Sequence, residues 1–263
     1  MLALIPPAKR LADHPDSLGL ELTQPKLLEH SQKLVNKLKK LSVKQLTELM
    51  GISEDLGKLN RERYQAWKTP FNAQNASPAI ATFKGDVYQG MKPESFNKSN
   101  LKFAQQHVRI LSGLYGLLRP LDLMQPYRLE MGTDLSFGRA KNLYEFWGST
   151  ITQAVNEALE ESGNPIVVNL ASNEYYKAIQ PKKLEGEVIT LVFKEEKDGK
   201  IRIITLFAKQ ARGMMINHIV KQKINNIEGL KNFQQAGYAF DEALSSGKEL
   251  IFVRPQPAPV SSR

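Results

Sequence analysis

The chain has 263 residues, a formal net charge of +9 and no cysteine. The missing thiols exclude disulfides, zinc–thiolate sites, iron–sulfur clusters and cysteine nucleophiles. The basic excess favours polyanionic partners such as nucleic acid, an acidic protein or phosphorylated metabolites, although a basic protein without such a ligand carries the same charge. No apolar run approaches the roughly 20 residues that span a bilayer, and the start, Met1-Leu2-Ala3-Leu4-Ile5-Pro6-Pro7, lacks the charged opening of a signal peptide. A cytoplasmic protein is expected.

In chain order, Leu2–Ile5 reads as a short buried strand stopped by Pro6-Pro7. Lys9 and Arg10 follow, then a polar loop to about Gln24. An amphipathic helix is expected over Lys26–Leu41, with Leu27, Leu34, Leu38 and Leu41 on one face and Lys33, Lys37 and Lys40 away from it. Further helices are expected over Val43–Met50 and Ser53–Trp67, then a strand over Ala79–Phe83 entering the turn Lys84-Gly85-Asp86. Leu101–Leu111 carries a helical stripe of Leu101, Ala104, Val108 and Leu111. Leu143–Leu159 is a clearer amphipathic helix, and Ile166–Leu170 is a strand of the fully buried kind. Glu187–Phe193 and Ile201–Phe207 flank Asp198-Gly199, a hairpin signal. A helix over Arg212–Ile224 and a last strand over Glu249–Val253 complete the pattern, and the Pro/Ser-rich tail Pro255–Arg263 reads as disordered. Helices and strands mix without strict alternation, repeats or a long linker. The expected architecture is one α/β domain over residues 1–254, with a mixed sheet flanked by helices rather than a doubly wound parallel fold.

Several chemistries have no motif. Ser246-Gly247-Lys248 precedes Glu249 where a phosphate-binding loop needs Ser or Thr, and there is no dinucleotide-binding glycine pattern and no nucleophile elbow. None of His14, His30, His107 and His218 pairs with another at metal-ligand spacing, so no metal or cofactor is expected, and His107 reads as a packed histidine. Asp86, Asp122, Glu130 and Glu174 could serve as acid and base or hold Mg²⁺. Pairing with arginines such as Arg119 and Arg128 explains them more economically, because unpaired buried charge is costly.

The segment Ser112–Gly132 mixes glycines, prolines and arginines with leucines in no regular period. Glycine serves where backbone must bend or approach closely, and arginine offers a fork of donors for phosphate. Two places suit a helix-hairpin-helix, in which a tight turn and a helix N-terminus present N–H groups to a phosphate. The first is Leu49-Met50-Gly51-Ile52-Ser53, with Lys58, Arg61 and Arg63 downstream. Glu54 and Asp55 oppose a phosphate there, and Ser53 as an ordinary N-cap explains the same residues. The second is Leu111-Ser112-Gly113-Leu114-Tyr115-Gly116, between Arg109 and Arg119, where a glycine bend for close packing is the alternative. Lys209-Gln210-Ala211-Arg212-Gly213 adds a basic cluster, and Lys182 and Lys183 add charge near a loop.

Phe83-Lys84-Gly85-Asp86-Val87-Tyr88, the Arg109–Gly132 block, Phe146-Trp147-Gly148, Asn169-Leu170-Ala171-Ser172 with Glu174-Tyr175, and Ala208–Gly213, together with the Leu4–Lys9 start, resemble the YaaA family of bacterial peroxide-stress proteins from Met1 to about Arg254. Pro6 and Arg10 depart from the family pattern, which has Ser before its Pro-Ala-Lys and a small hydroxyl residue after it. The resemblance implies a cytoplasmic protein that protects against hydrogen peroxide and limits the damage unincorporated iron does to DNA. It also implies a single-domain fold of its own, a positively charged cleft, a helix-hairpin-helix element, DNA binding and a tie to recombinational repair, with no enzymatic activity established for the family as a whole. The expected function is therefore binding of double-stranded or branched DNA by a monomer, without sequence specificity. The contacts expected are Lys9, Arg10, Lys84, Arg109, Arg119, Arg128, Lys209 and Arg212, with the hairpins at Gly51, Ser53, Lys58 and Arg61 or at Gly113 and Gly116. Within the glycine-rich block, Arg109–Gly116 is expected to touch phosphate and Leu121–Gly132 to be scaffold. The alternative is an enzyme on a phosphorylated or nucleotide substrate, using Asp86, Glu130, Arg128 and Tyr175.

Overall fold

The first strand, β1 (Leu2–Ile5), is apolar and buried along its whole length, as befits a strand in mid-sheet covered on both faces. The structure is a computed structural model that describes residues 1–12 and 19–257; His14 and residues 258–263 of the expected tail lie outside the described residues. After Pro6-Pro7 comes β2 (Arg10–Leu11). α1 (Leu28–Leu38) buries Leu34, Val35 and Leu38. α2 (Val43–Met50) begins in a capping box, Ser42 Oγ accepting from Gln45 N while Gln45 Oε1 accepts from Ser42 N. It stops at Gly51, which at φ 59° takes the left-handed conformation of a helix C-cap. Ser53 then caps α3 (Glu54–Ala66), its Oγ accepting from Leu56 N at 3.4 Å.

The strand expected over Ala79–Phe83 is instead one helical turn, α4 (Ala79–Thr82), between β3 (Ser77–Pro78) and β4 (Phe83–Lys84). An apolar run this short fits either state. Tertiary partners decide it: Ala79 and Ile80 donate their N–H groups to the carbonyls of Asp122 and Pro120. α5 (Asp86–Met91) and α6 (Lys98–His107) follow. The helix expected over Leu101–Leu111 ends at His107, because Val108–Ser112 is a buried strand, β5, with Ala3 of β1 facing Val108 and Ile5 facing Ile110. β-Branched Val108 and Ile110 suit that slot better than a fourth helical turn. β6 (Gly116–Leu118) folds back on β5, and β7 (Leu123–Met124) pairs with β3.

The helix expected over Leu143–Leu159 is two, α7 (Leu143–Trp147) and α8 (Thr150–Ser162), broken at Gly148 with φ 50°. β8 (Ile166–Asn169) and α9 (Asn173–Tyr176) come next. β9 (Glu187–Lys197) and β10 (Lys200–Arg202) form the expected hairpin, with Asp198 and Gly199 both at positive φ. Ile203–Phe207 does not extend it, since α10 (Thr205–Gln222) begins there, ahead of Arg212. α11 (Ile227–Lys231), β11 (Ala239–Ser246) and β12 (Glu249–Pro255) finish the chain, so Pro255 closes a strand rather than opening the tail.

The main sheet has eight strands in the order β11-β12-β9-β8-β1-β5-β6, with β10 on β9. Neighbours from β12 through β5 are parallel, while the β11–β12, β9–β10 and β5–β6 pairs are antiparallel. This is the expected single α/β domain with a mixed sheet. From β1 the chain order runs outward to β5 on one side and to β8 and β9 on the other. Such a reversal opens a crevice at the carboxyl ends of the strands, here Ile5, Ser112 and Asn169. Among the described residues no helix is long and apolar enough to cross a membrane.

Candidate functional site

Five stretches far apart in sequence meet beyond those strand ends, around a cavity of about 430 Å³. β1 delivers Pro6 to Arg10. β2 pairs with β4 so that Arg10 faces Lys84, which brings in Lys84, Gly85 and Asp86. The chain turns after β8, with Leu170 N donating to Leu4 O and Ala171 N to Asn169 Oδ1, and delivers Ser172, Glu174 and Tyr175. Residues 127–130 are held from below: Tyr127 OH and Ser112 Oγ lie 2.6 Å apart, and Tyr64 OH donates to Arg128 O. The fifth stretch is α10, with Lys209 and Arg212.

Two glycines set the position of α10. A Cβ on Gly90 would lie 2.0 Å from Gln210 O, and one on Gly213 would lie 1.8 Å from Val87 O. α5 and α10 therefore touch backbone to backbone, and this contact places Lys209 Nζ 3.9 Å from Asp86 Oδ2.

The cavity gathers six cations, Lys9, Arg10, Lys84, Arg128, Lys209 and Arg212, against three carboxylates, Asp86, Glu130 and Glu174. Glu130 is clamped between Lys9 at 2.7 Å and Arg128 at 3.2 Å. Glu174 Oε1 accepts from Gly132 N at 3.0 Å. Tyr88, Tyr127 and Tyr175 form the floor, and burial pushes their phenol pKa values up, so at neutral pH each is a neutral hydroxyl. Arg212 has its guanidinium pKa lowered by burial, and among the described residues it has no counter-ion. Arg128 Nε is buried without a hydrogen-bond acceptor. A cation half out of water and without an acceptor favours any anion that reaches it.

A second depression, of about 380 Å³, is lined by Leu49, Met50 and Gly51 of the α2–α3 turn and by Gly132, Thr133 and Asp134, and shares Lys9, Arg128, Glu130 and Glu174 with the first. The two run together as one trough. The trough thus unites Lys9, Arg10, Lys84, Arg128, Lys209, Arg212 and Gly51 with Asp86, Glu130 and Tyr175. Ser53 sits on the α3 side of the Gly51 turn as a cap, Lys58 pairs with Glu54 at 2.8 Å, and Arg61 is exposed on α3.

The other half of the expected set lies elsewhere. Arg109 is only 4% exposed, and its Nη1 donates to the carbonyls of Gln105, Gln106 and Val108. Arg119 is bound to Asp122 and to Gln24 O, and Asp122 is itself buried and accepts from Thr23 Oγ1 at 2.6 Å. Both arginines border a separate small depression with Lys26, Ala154 and Ala158. Gly113 and Gly116 belong to the β5–β6 hairpin, not to a helix-hairpin-helix. A Cβ on Gly113 would meet Leu129 O at 2.3 Å, and Gly116, at φ 68°, faces Trp147. The hairpin's amides are used internally, Tyr115 N on Ser112 Oγ and Leu117 N on Tyr115 O. Within the glycine-rich block Arg109–Gly116 is thus packed and bonded internally, while Tyr127, Arg128, Leu129, Glu130 and Gly132 line the trough. Ser172, Tyr88 and Tyr127 join the site without having been singled out, although each stands beside residues of the resemblance or within its blocks.

The family model described as "Peroxide stress protein YaaA" matches residues 1–244. The chain belongs to this peroxide stress protein family. It is 51% identical over 257 residues to a UPF0246 protein of Cellvibrio japonicus, covering 98% of this chain and 100% of that one. It is 52% identical over 256 residues to a UPF0246 protein of Saccharophagus degradans, covering 97% and 100%, and 50% identical over 256 residues to one of Idiomarina loihiensis, covering 97% and 99%. The match takes in every stretch that builds the trough.

Proposed function

We propose that the protein binds DNA through its phosphate backbone, without sequence specificity, and that this binding is how it acts in peroxide stress. One observation carries the reading: the depression at the Gly51 turn and the cavity of Lys84, Lys209 and Arg212 share Lys9 and Arg128, so the cations of both adjoin. A polyanion takes a line of cations that a small ligand does not need, and contacts of this kind position a protein without reading bases. The α2–α3 turn, with Gly51 left-handed and Ser53 capping α3, supplies one end of that line. The protection of DNA from iron-dependent damage and the tie to recombinational repair that the resemblance implies belong to this reading.

Affinity for duplex DNA is expected to fall with salt at a slope of roughly −0.9 per phosphate neutralised. A flat salt dependence, or no binding at low salt, overturns the reading. A second reading has its own support: Asp86, Glu130, Arg128 and Tyr175 line one cavity, as an enzyme on a phosphorylated or nucleotide substrate would need. It predicts turnover of a phosphorylated substrate that Asp86→Asn abolishes.

A further inference from the structure

The cavity is larger than backbone binding requires. At about 430 Å³ it falls within the roughly 300–1,000 Å³ of sites for small organic ligands, several times the space of a phosphate group. Besides the charged groups its lining is largely apolar, with Pro6, Pro7, Val87 and the nearly buried Tyr88, Tyr127 and Tyr175. Walls of this kind suit an aromatic ring. The three carboxylates are differently committed. Glu130 is held by two cations and Glu174 by Gly132 N. Asp86, at the first position of α5, has only Lys209 at 3.9 Å and accepts no hydrogen bond among the described residues. A carboxylate facing a nucleic-acid rim repels phosphate, so its presence there needs a donor to offset it.

We propose that the cavity takes one nucleotide unit, with its base on the tyrosine floor, its phosphate on Lys84 and Arg212, and the Asp86 carboxylate accepting from the base edge. Guanine is favoured, because its adjacent N1–H and N2–H donors match the two oxygens of a carboxylate. The proposal rests on the reading that the rim cations hold phosphate. The unit comes either from a free nucleotide or from an unpaired position in a strand, and the chemistry of recognition is the same.

Calorimetric titration of the full chain with GMP, ribose 5-phosphate and inorganic phosphate tests it. GMP is expected to bind at least about tenfold more tightly than ribose 5-phosphate, since a site built to pair a donor rejects an analogue lacking it. In Asp86→Asn that ratio falls toward one, while ribose 5-phosphate binds more tightly because an anion has gone. Equal affinity of the unmodified protein for GMP and ribose 5-phosphate overturns the proposal, as does an unchanged ratio in a folded Asp86→Asn. Competition of GMP against a duplex carrying one unpaired guanine and against the same duplex fully paired separates the two sources: stronger displacement by the unpaired guanine assigns the strand, and equal displacement by both duplexes assigns the free nucleotide. A flat salt dependence of duplex binding would remove the backbone reading and leave the GMP to ribose 5-phosphate ratio to be judged alone.

Discussion

Arg109 shows how one side-chain type serves two ends. It lies in the most distinctive block of the chain, yet its Nη1 reaches the carbonyls of Gln105 and Gln106 in the last turn of α6. There it satisfies acceptors that a helix end leaves open and meets the negative end of the dipole. Burial holds its pKa down to about 10, still far above neutrality. Arg109→Ala is expected to cost about 1–3 kcal/mol of stability through the stranded carbonyls, read as a shift of the urea midpoint, with no change in the salt slope of DNA binding. His107 and His218 make a second case. Both are half-buried, and burial lowers their pKa despite contacts to Met1 O and Gly229 O. The unfolded chain therefore takes up protons first as pH falls through the ordinary histidine value of about 6.5, so stability is full above that pH and declines below it. Urea midpoints at pH 7.5 and 5.5 should show the decline, and a His107→Gln, His218→Gln double variant should reduce it.

Among the elements, the α5–α10 contact matters most for the site. Gly90 and Gly213 let two helices meet at a distance where a methyl group would overlap a carbonyl, and the pair Asp86–Lys209 depends on that spacing. Gly213→Ala is expected to cost about 1–3 kcal/mol and to weaken DNA binding as well, because Lys209 and Arg212 move with α10. A loss of stability with unchanged affinity would mean that the register of the helices does not matter to binding. The elements that the pattern of residues misjudged are short or transitional. Leu101–Leu111 has helical spacing throughout, yet its last turn is strand β5, since a place beside β1 offers hydrogen bonds and burial that a helix end cannot. Ala79–Phe83 is apolar enough for a strand and becomes α4 because Pro120 and Asp122 offer their carbonyls. By contrast β1, the Asp198-Gly199 hairpin, α2 and α3 were legible, since proline stops, positive-φ residues and caps act locally.

At the scale of the whole molecule, the trough depends on strand order. Lys84 and Arg212 are separated by nearly half of the chain and meet only because β2 pairs with β4 and α10 packs on α5. If both contact one DNA, Lys84→Ala and Arg212→Ala should each reduce the magnitude of the salt slope by about 0.9, and the double variant by about twice that. Gel-shift or anisotropy titrations over a salt series measure this. A single variant that keeps the slope of the unmodified protein would place that residue off the DNA.

The sequence by itself determined the α/β class with a mixed sheet, the family, and the types of most residues in the trough, Lys9, Lys84, Asp86, Arg128, Glu130, Tyr175, Lys209 and Arg212 among them. The class follows from local periodicity and turn chemistry, the family from the resemblance of its motif blocks, and the residue types from those blocks and the spread of charge. Only the tertiary structure decided which arginines and glycines belong to the site. Arg109 and Arg128, or Gly51 and Gly113, look alike along a chain. What separates them is whether the fold supplies carbonyls and packed neighbours, as it does for Arg109 and Gly113, or leaves the group at the edge of a cavity at the carboxyl ends of parallel strands, as it does for Arg128 and Gly51.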